Sequence, residues 1–297
     1  MLTKNIIPKS MLPDSKSFTI KKINEPHFDP TFHVHPEYQL TYVAQGEGKR
    51  FIGNNIKSFE ADEMVLLGPN IPHVWKSDSI YFRKNSQLRT TVTVIYFSKD
   101  IIENKLLGNI EFEEMQQLLI KSKRGVEVLG KTKEKIKKIM FGLLRQNGFE
   151  SILSLLHILH YISISKETSY ITNSNIPLFN TSIEASRLNK IYEFTLKNFN
   201  RKITLKEVAS LVHMTDTSFS RYFKSRVNKS YSDFLKEIRI EYACKLLKNE
   251  KITIERISYE SGFPSVTNFN KQFKLLKGRQ PSEYRDEFLK ITEKSVP

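Results

Sequence analysis

The chain has 297 residues, of which 47 are Lys or Arg and 32 are Asp or Glu, so its formal net charge is +15. A composition of 39% hydrophobic and 27% charged residues is typical of a folded globular protein. It excludes a disordered, collagen-like or disulfide-rich chain. The length favours two domains rather than one.

The sequence carries no pattern for export or for membrane insertion. Residues 1–9 lack the apolar core of a signal peptide, and the longest apolar-rich stretch, residues 152–164, is too short to span a bilayer. The single cysteine, Cys244, cannot form an intramolecular disulfide, which favours a reducing compartment. We therefore predict a cytoplasmic protein without a membrane partner.

The positive charge favours a polyanionic partner, because Lys and Arg side chains beside phosphates release condensed counterions. The excess of basic residues is denser after residue 181 than before it. A solvated basic surface would give the same net charge. The charge therefore suggests nucleic acid as a partner but does not locate a binding site.

The pattern of side chains changes along the chain. Residues 18–97 contain short β-branched and aromatic runs bounded by Gly, Asn or Pro, which predicts an antiparallel barrel or sandwich. Later segments carry apolar residues at helical spacing. We predict an α+β fold with two domains: an antiparallel β-barrel over residues 1–100 with a helical segment over 101–165, a linker over 166–182, and an all-α domain over 183–290.

The most informative feature of the sequence is an internal repeat. Residues 203–209 resemble residues 252–258 at an offset of 49, and the similarity continues downstream at an offset of 50. The extra residue falls between two helices, where a turn tolerates it. Each copy predicts a short helix, a tight turn and a second helix, so we expect helix-turn-helix units at about 204–227 and 253–276.

The second helix of each unit has one apolar and one polar face. The predicted buried face holds Phe219, Tyr222 and Phe223 in the first unit, and Phe269 and Phe273 in the second. The outward positions carry hydroxyl, amide and basic side chains with few acids, which suits base edges and phosphates. The alternative, a helical bundle with a duplicated hairpin, would normally expose more Asp and Glu. The predicted DNA-binding residues are Thr217, Ser218, Ser220, Arg221 and Lys224 in the first unit, and Ser265, Thr267, Asn268, Asn270, Lys271 and Lys274 in the second.

Residues 187–287 resemble the AraC/XylS family of bacterial transcription regulators. The motif that carries the resemblance is Gly262-Phe263-Pro264-Ser265, then Phe269, Phe273-Lys274, Gly278, Pro281 and Tyr284-Arg285. The first unit departs from it with His213 in a turn that often holds Gly, and with Asn228 where the second unit has Gly278. Asn tolerates a left-handed backbone well, and we expect His213 to be exposed.

The resemblance implies a sequence-specific regulator of transcription. Two helix-turn-helix subdomains would be joined by a long helix at about 232–247, with both second helices in successive major-groove segments of double-stranded DNA. It further implies activation through contact with RNA polymerase, and a homodimer formed through helices in residues 111–165.

Residues 18–97 resemble the cupins. His33-Val34-His35, followed by Gln39 and Gly46, is similar to the first cupin motif, and residues 68–73, which end in His73, are similar to the second. Metal-binding cupins hold a divalent ion with three imidazoles and a carboxylate. Here Gln39 occupies the carboxylate position, and an amide is a much weaker ligand. Glu37 has the same strand parity, but Pro36 interrupts the strand.

We therefore expect no metal and no cofactor, and we interpret His33, His35, Gln39 and His73 as polar groups of an effector pocket in a mostly apolar barrel. The expected effector is a small molecule, with a sugar among the candidates. Histidines that simply fill the barrel are the alternative. For the whole chain, the alternative functions are a metal-dependent cupin enzyme with a helical appendage and a non-specific DNA-binding protein.

Overall fold

The computed structural model describes residues 10–13, 15–31, 33–98, 101, 109–172 and 182–293. The chain divides into two compact units, Met1–Ala185 and Ser186–Pro297. The first combines antiparallel sheets with helices and the second is helical, which confirms the predicted α+β class. Within the described ranges, no helix is both long and apolar enough to cross a membrane.

The first unit contains two antiparallel sheets. The strands are β1 (Phe18–Glu25), β2 (Tyr38–Gln45), β3 (Gly48–Ile52), β4 (Asn55–Phe59), β5 (Glu63–Leu67), β6 (His73–Ser77), β7 (Thr90–Phe97), β8 (Val126–Val128) and β9 (Thr168–Tyr170). One sheet has six strands in the order β1-β7-β2-β5-β8-β9, and the other has three in the order β4-β3-β6.

The alternation of β2 gives the large sheet two different faces. Leu40 and Tyr42 pack into an apolar core with three helices, whereas Val43 belongs to a second core with residues of the small sheet. Gln39 and Thr41 share the parity of Val43 and so lie on the inner side. The helices on the outer face are α1 (Glu113–Ser122), α2 (Gly130–Leu143) and α3 (Gly148–Ser163).

Two strands lie where the sequence predicted other structure. Strand β8 interrupts the helical segment predicted over 101–165, and β9 lies in the linker predicted over 166–182. Pairing with an existing sheet edge explains both, because β8 pairs with β5 and β9 pairs with β8. Residues 173–181 of the predicted linker lie outside the described residues.

The second unit is built from two similar helical halves around a long helix. Its helices are α4 (Ser182–Asn198), α5 (Leu205–Leu211), α6 (Asp216–Val227), α7 (Tyr231–Leu247), α8 (Ile254–Glu260), α9 (Val266–Lys277) and α10 (Pro281–Glu293). Each helix of the two pairs α5–α6 and α8–α9 begins at a Thr or Ser whose hydroxyl accepts a backbone N–H bond, which satisfies one free donor of the first turn.

Both pairs pack on the long helix α7. Phe223 of α6 contacts Phe234 near the start of α7, with ring centroids 5.3 Å apart. Phe269 and Phe273 of α9 share an apolar core with the later part of α7, including Ala243 and the buried Cys244. The two second helices are therefore held at different positions along one rigid element.

Candidate nucleic-acid interface and interior site

Helices α6 and α9 bury their phenylalanines and expose their polar faces. Phe219, Phe223, Phe269 and Phe273 are fully buried, at 0% exposure. The opposite face of each helix carries a basic pair three residues apart: Arg221 and Lys224 on α6, Lys271 and Lys274 on α9. These four side chains are all exposed, so the helix period separates a packing face from a charged face.

All five predicted DNA-binding residues of α6 are exposed. Thr217, Arg221 and Lys224 lie at i, i+4 and i+7, so they form one row along the helix. The hydroxyls of the two serines bond locally: Ser220 donates to the Asp216 carbonyl, and Ser218 accepts from the N-cap Thr215.

On α9, four of the six predicted residues are exposed: Thr267, Asn268, Lys271 and Lys274. The other two depart from the predicted outward face. Asn270 is half-buried, and its Oδ1 is enclosed without a hydrogen-bond partner. Ser265 is half-buried as the N-cap, because its hydroxyl accepts from the Asn268 N–H at 3.2 Å.

The two helices differ in charge at the start. Helix α6 has Asp216 in its first turn, whereas α9 has no acidic residue there. A free helix N-terminus with a positive partial charge attracts phosphate. The start of α9 is therefore the more favourable of the two for an anion.

The four predicted effector residues come together on the inner side of the first unit. Strand β2 supplies Gln39, strand β6 supplies His73, and the segment before β2 supplies His33 and His35. The segment is aligned by a backbone bridge between His33 and His73. Gln39, His35 and His73 are 1–3% exposed.

A continuous chain of polar contacts joins three of these side chains, those of His35, Gln39 and His73. Gln39 Oε1 lies 2.8 Å from His35 Nε2 and 2.9 Å from His73 Nε2, and the other end of the amide lies 2.6 Å from Thr41 Oγ1. His33 and His73 each direct Nδ1 at a backbone carbonyl, of Thr31 at 2.9 Å and Ile71 at 2.7 Å. One ring nitrogen from each of the three histidines lies within 4.8 Å of the other two.

Burial and repulsion between imidazoles favour the neutral forms of His33 and His73. Burial lowers the pKa of His33, and burial followed by repulsion from His33 and His35 places the pKa of His73 well below its usual value. Burial alone would raise the pKa of Glu37, but hydrogen bonds from His35, Ser10 and Met11 outweigh it and lower the pKa. The lowered pKa favours the ionised form of Glu37.

Sequence reasoning missed two inner residues. Thr41, two positions after Gln39 on the same face of β2, contacts its amide. Arg50 is 1% exposed, and its Nε donates to Glu63 at 2.7 Å; Trp75 Nε1 donates to the other oxygen of Glu63 at 3.0 Å. The alternation of β3 places Arg50 on the same side as the buried Ile52, a signal that was available in the sequence.

Comparison with known proteins identifies both units. A family model described as an AraC-like ligand binding domain matches residues 21–146, and one described as a helix-turn-helix domain matches residues 208–287. The chain is 24% identical over 268 residues to the HTH-type transcriptional regulator YfiF of Bacillus subtilis. The matched region covers 87% of this chain and 80% of that protein.

Similarity to two further proteins also extends over most of the chain. The Msm operon regulatory protein of Streptococcus mutans is 22% identical over 260 residues, covering 88% of this chain and 87% of that protein. The crystal structure of ToxT from Vibrio cholerae O395 matches at 19% identity and a TM-score of 0.36, covering 91% of this chain and 97% of that chain.

The two family matches follow the two units in order, and the proteins similar to the chain are named as regulators rather than as enzymes. The enzyme alternative is therefore not supported. The chain belongs to the AraC family of transcription regulators, with an AraC-like ligand-binding domain followed by a DNA-binding helix-turn-helix domain.

Proposed function

We propose that the chain is a ligand-responsive activator that binds a specific DNA sequence by placing α6 and α9 in successive major-groove segments. The observation that carries the proposal is the matched pair of exposed faces: Thr217, Arg221 and Lys224 on α6 correspond to Thr267, Lys271 and Lys274 on α9. Hydroxyl and basic side chains in these positions suit phosphates and base edges.

The separation of the two helices supports this placement. Helix α7 has 17 residues and is therefore about 25 Å long. Helix α6 packs near its start, through Phe234, and α9 packs near its end, around Ala243. Successive major-groove segments on one side of a duplex lie about 34 Å apart. Two helices at opposite ends of α7 are suited to reach both.

The interior of the first unit is proposed as the effector site. The cluster of His33, His35, Gln39 and His73 lies beside the apolar core that contains Val43, Ile52 and Trp75. An enclosed polar group with apolar surroundings is the usual composition of a small-molecule site. A small-molecule effector, a sugar among the candidates, would contact these polar atoms.

The same domain is proposed to form a homodimer through its helices. Helices α1, α2 and α3 expose Ile120, Phe141 and Phe149, at 56%, 40% and 73% exposure. Covering these apolar side chains by a second copy would remove them from water. Activation through RNA polymerase is proposed with it because the family resemblance implies it, and a cytoplasmic location is proposed because a bacterial regulator acts where the DNA is.

Genome-wide mapping of bound sites tests the proposal. The expected result is a small set of promoters that share a sequence motif with two parts about one helical turn apart. Purified chain should bind such a site far more tightly than a shuffled duplex of equal length. Equal affinity for both duplexes would identify a non-specific binder. Deleting the gene should lower transcription beside these sites; a rise would identify a repressor.

A further inference from the structure

We propose that residues 165–172 form a strap that is released when a small molecule enters the interior of the first unit. Release begins with the displacement of one side chain, that of Ile171, from the apolar core between the two sheets. The strap then leaves the first unit and lengthens the connection to the helical unit. The proposal rests on the proposed function in one respect, since it takes the interior as the effector site and adds how binding is transmitted.

The strap lies along the last edge of the six-stranded sheet. Its strand β9 has three residues and pairs with β8. After β9, the N–H of Ile171 donates to the Gly125 carbonyl at 3.0 Å, and the N–H of Thr172 donates to the Arg124 carbonyl at 3.1 Å. A short segment at a sheet edge opens at a lower free-energy cost than a central strand.

Ile171 connects the strap to the interior. It shares the apolar core between the sheets with Val43, Ile52 and Trp75. The ring centroid of Trp75 lies 5.8 Å from that of His73, so the same packed interior reaches the proposed effector residues. Ile171 is 8% exposed, whereas Val43 and Ile52 are 0% exposed. Ile171 is therefore buried, but it is the most exposed of the eight buried residues in this core.

A small molecule cannot enter this interior without moving a side chain. His35, Gln39 and His73 are 1–3% exposed, and protein interiors are packed as densely as organic crystals. Six of the other seven buried residues of the core lie in strands of five or eight residues, and the seventh, Ile71, accepts a hydrogen bond from His73. Ile171 instead follows a strand of three residues. Its displacement disrupts the shortest strand, so we expect this side chain to move first.

Polar contacts hold the strap in place at both ends. Arg124 Nε donates to the Thr172 carbonyl at 3.0 Å, and the guanidinium carbon lies 3.7 Å from the centroid of the Tyr170 ring. At the other end, the Glu167 carboxylate accepts from the backbone N–H and from the hydroxyl of Thr132, at 2.7 and 2.9 Å. The side chains of Arg124, Glu167 and Thr132 are half-buried. Water can therefore replace these contacts when the strap leaves.

Two glycines shape the surface on which the strap lies. A Cβ atom at Gly125 would lie 3.0 Å from Cδ1 of Ile171, and one at Gly130 would overlap the carboxylate of Glu167. A side chain at either position would push the strap away from the sheet or from the start of α2. The strap therefore has one defined position on the first unit, and its release is a change between two states.

Release changes the length of the connection between the units. Residues 173–181 follow the strap in the sequence, and α4 begins at Ser182. With the strap free, the connection gains the eight residues 165–172, which add roughly 26–29 Å of fully extended chain. In a homodimer, a longer connection lets the two DNA-binding units reach half-sites that are farther apart. The effector would thus change which promoter sites the dimer occupies without any change in α6 or α9.

Hydrogen exchange of the full chain, read by mass spectrometry, tests whether the strap opens. Peptides that cover residues 165–172 should exchange at least about 10-fold faster than peptides that cover β2, because the strap opens locally. Arg124→Ala should speed exchange of the strap about 10-fold more, as expected for the loss of a hydrogen bond from a charged group. The matched control is Lys123→Ala, because Lys123 is an exposed neighbour of Arg124; it should leave the rate unchanged. Equal rates for the strap and β2, or equal effects of the two variants, overturn the proposal.

A neutral apolar dye, N-phenyl-1-naphthylamine, serves as the small molecule that enters the interior. Trp75 is the single tryptophan and lies in the apolar core between the sheets, so energy transfer from Trp75 to the dye reports binding. If entry requires release, a weaker strap raises the apparent affinity, because more chains are already open. Arg124→Ala should therefore bind the dye about 10-fold more tightly than the wild type, and Lys123→Ala should bind it as the wild type does.

Bound dye should in turn speed hydrogen exchange of the strap in the wild type, because the coupling between two sites is reciprocal. Unchanged exchange with dye bound, equal dye affinity in the wild type and Arg124→Ala, or absence of energy transfer in both, overturns the proposal. If Arg124→Ala does not fold, Glu167→Ala takes its place, since it removes the acceptor for Thr132. Its control is Lys166→Ala, because Lys166 is an exposed residue of the strap.

Binding of the same samples to a mapped promoter site separates this proposal from the proposed function. A chain that prefers the promoter to a shuffled duplex, but whose strap does not respond to the dye, contradicts the strap alone. A chain whose strap responds to the dye, but which prefers no DNA sequence, contradicts the proposed function alone.

Discussion

His213 adopts the same left-handed backbone conformation as Gly262, its counterpart in the second helix-turn-helix unit: φ is +57° for His213 and +84° for Gly262. Both residues end the short first helix and start the turn. The turns are therefore equivalent in backbone geometry although their sequences differ. What differs is the space around the two residues.

Gly262 has no room for a side chain. A Cβ atom there would lie 2.5 Å from the carbonyl oxygen of Phe199, an oxygen that accepts a 2.8 Å hydrogen bond from Arg239. Gly262→Ala should therefore destabilise the chain by roughly 3 kcal/mol, from left-handed strain plus overpacking. Gly278→Ala is the matched control, because its φ is +75° but the space is open; it should cost about 1 kcal/mol. Urea unfolding measures both variants, and an equal loss of unfolding free energy in Gly262→Ala and Gly278→Ala would contradict the steric explanation.

His213→Gly should have the opposite effect. Removing the Cβ atom relieves left-handed strain, and the greater freedom of glycine in the unfolded chain offsets part of the gain. We expect about 1 kcal/mol of added stability by the balance of these two effects. Asn228→Gly, at φ +54°, should gain less, since Asn tolerates this region. An unchanged or lower unfolding midpoint for His213→Gly would show that the imidazole makes a compensating contact.

The sequence predicted the helical unit well because its buried faces follow the helix period. Phe219, Phe223, Phe269 and Phe273 are all fully buried. Tyr222, expected in the same face, is only half-buried. Because the repeat places the same apolar pattern in α6 and in α9, the prediction for each helix supported the prediction for the other.

The first unit was harder to predict, because tertiary contacts decide its details. Strands β8 and β9 have three residues each, too few to show a period of two. They exist because an edge of the sheet is available for pairing. The four residues of the interior site were predicted together, but only the folded chain shows that Nδ1 of His33 and Nδ1 of His73 each contact a backbone carbonyl.

Phe269→Ala tests the buried face of α9. The side chain is fully buried and contacts both Phe263 and Phe273, at centroid distances of 5.3 and 5.6 Å. Truncation should destabilise the chain by roughly 3–5 kcal/mol. Leu275→Ala is the matched control, since Leu275 on the same helix is 74% exposed. The measurement is urea unfolding followed by circular dichroism, and similar midpoints for the two variants would mean that the buried face is assigned wrongly.

The capping box of α5 gives a dependence on pH. Thr204 Oγ1 accepts from the Glu207 N–H at 3.2 Å, and Glu207 accepts from the Thr204 N–H at 3.3 Å. Thr204→Ala should cost about 1 kcal/mol. The hydrogen bond from Arg201, followed by that from the Thr204 backbone, lowers the pKa of Glu207 below its ordinary value of 4.5.

Because the folded pKa is the lower one, the stabilisation from Glu207 is present above pH 4.5 and is lost as the pH falls through the folded pKa. Glu207→Gln should remove this part of the acid sensitivity. Unfolding midpoints of the wild type and of Glu207→Gln, measured from neutral pH downwards, should converge in acid. A constant difference between them across this range would contradict the assignment.

Lys271 and Asn268, three residues apart on the exposed face of α9, should contribute differently to DNA binding. A lysine beside a phosphate contributes in the same way on any sequence, so Lys271→Ala should weaken binding uniformly and reduce the slope of log affinity against log salt by about 1. An asparagine that reads a base contributes only at the matching base pair. Asn268→Ala should therefore weaken binding to the mapped site by about 1–3 kcal/mol and leave binding to a shuffled duplex unchanged.

The control for the loss of one positive charge is Lys121→Ala, because Lys121 is an exposed lysine on α1 of the other unit. Gel shifts at several salt concentrations measure all three, and a salt slope for Lys271→Ala equal to that of Lys121→Ala would exclude Lys271 from the phosphate contacts.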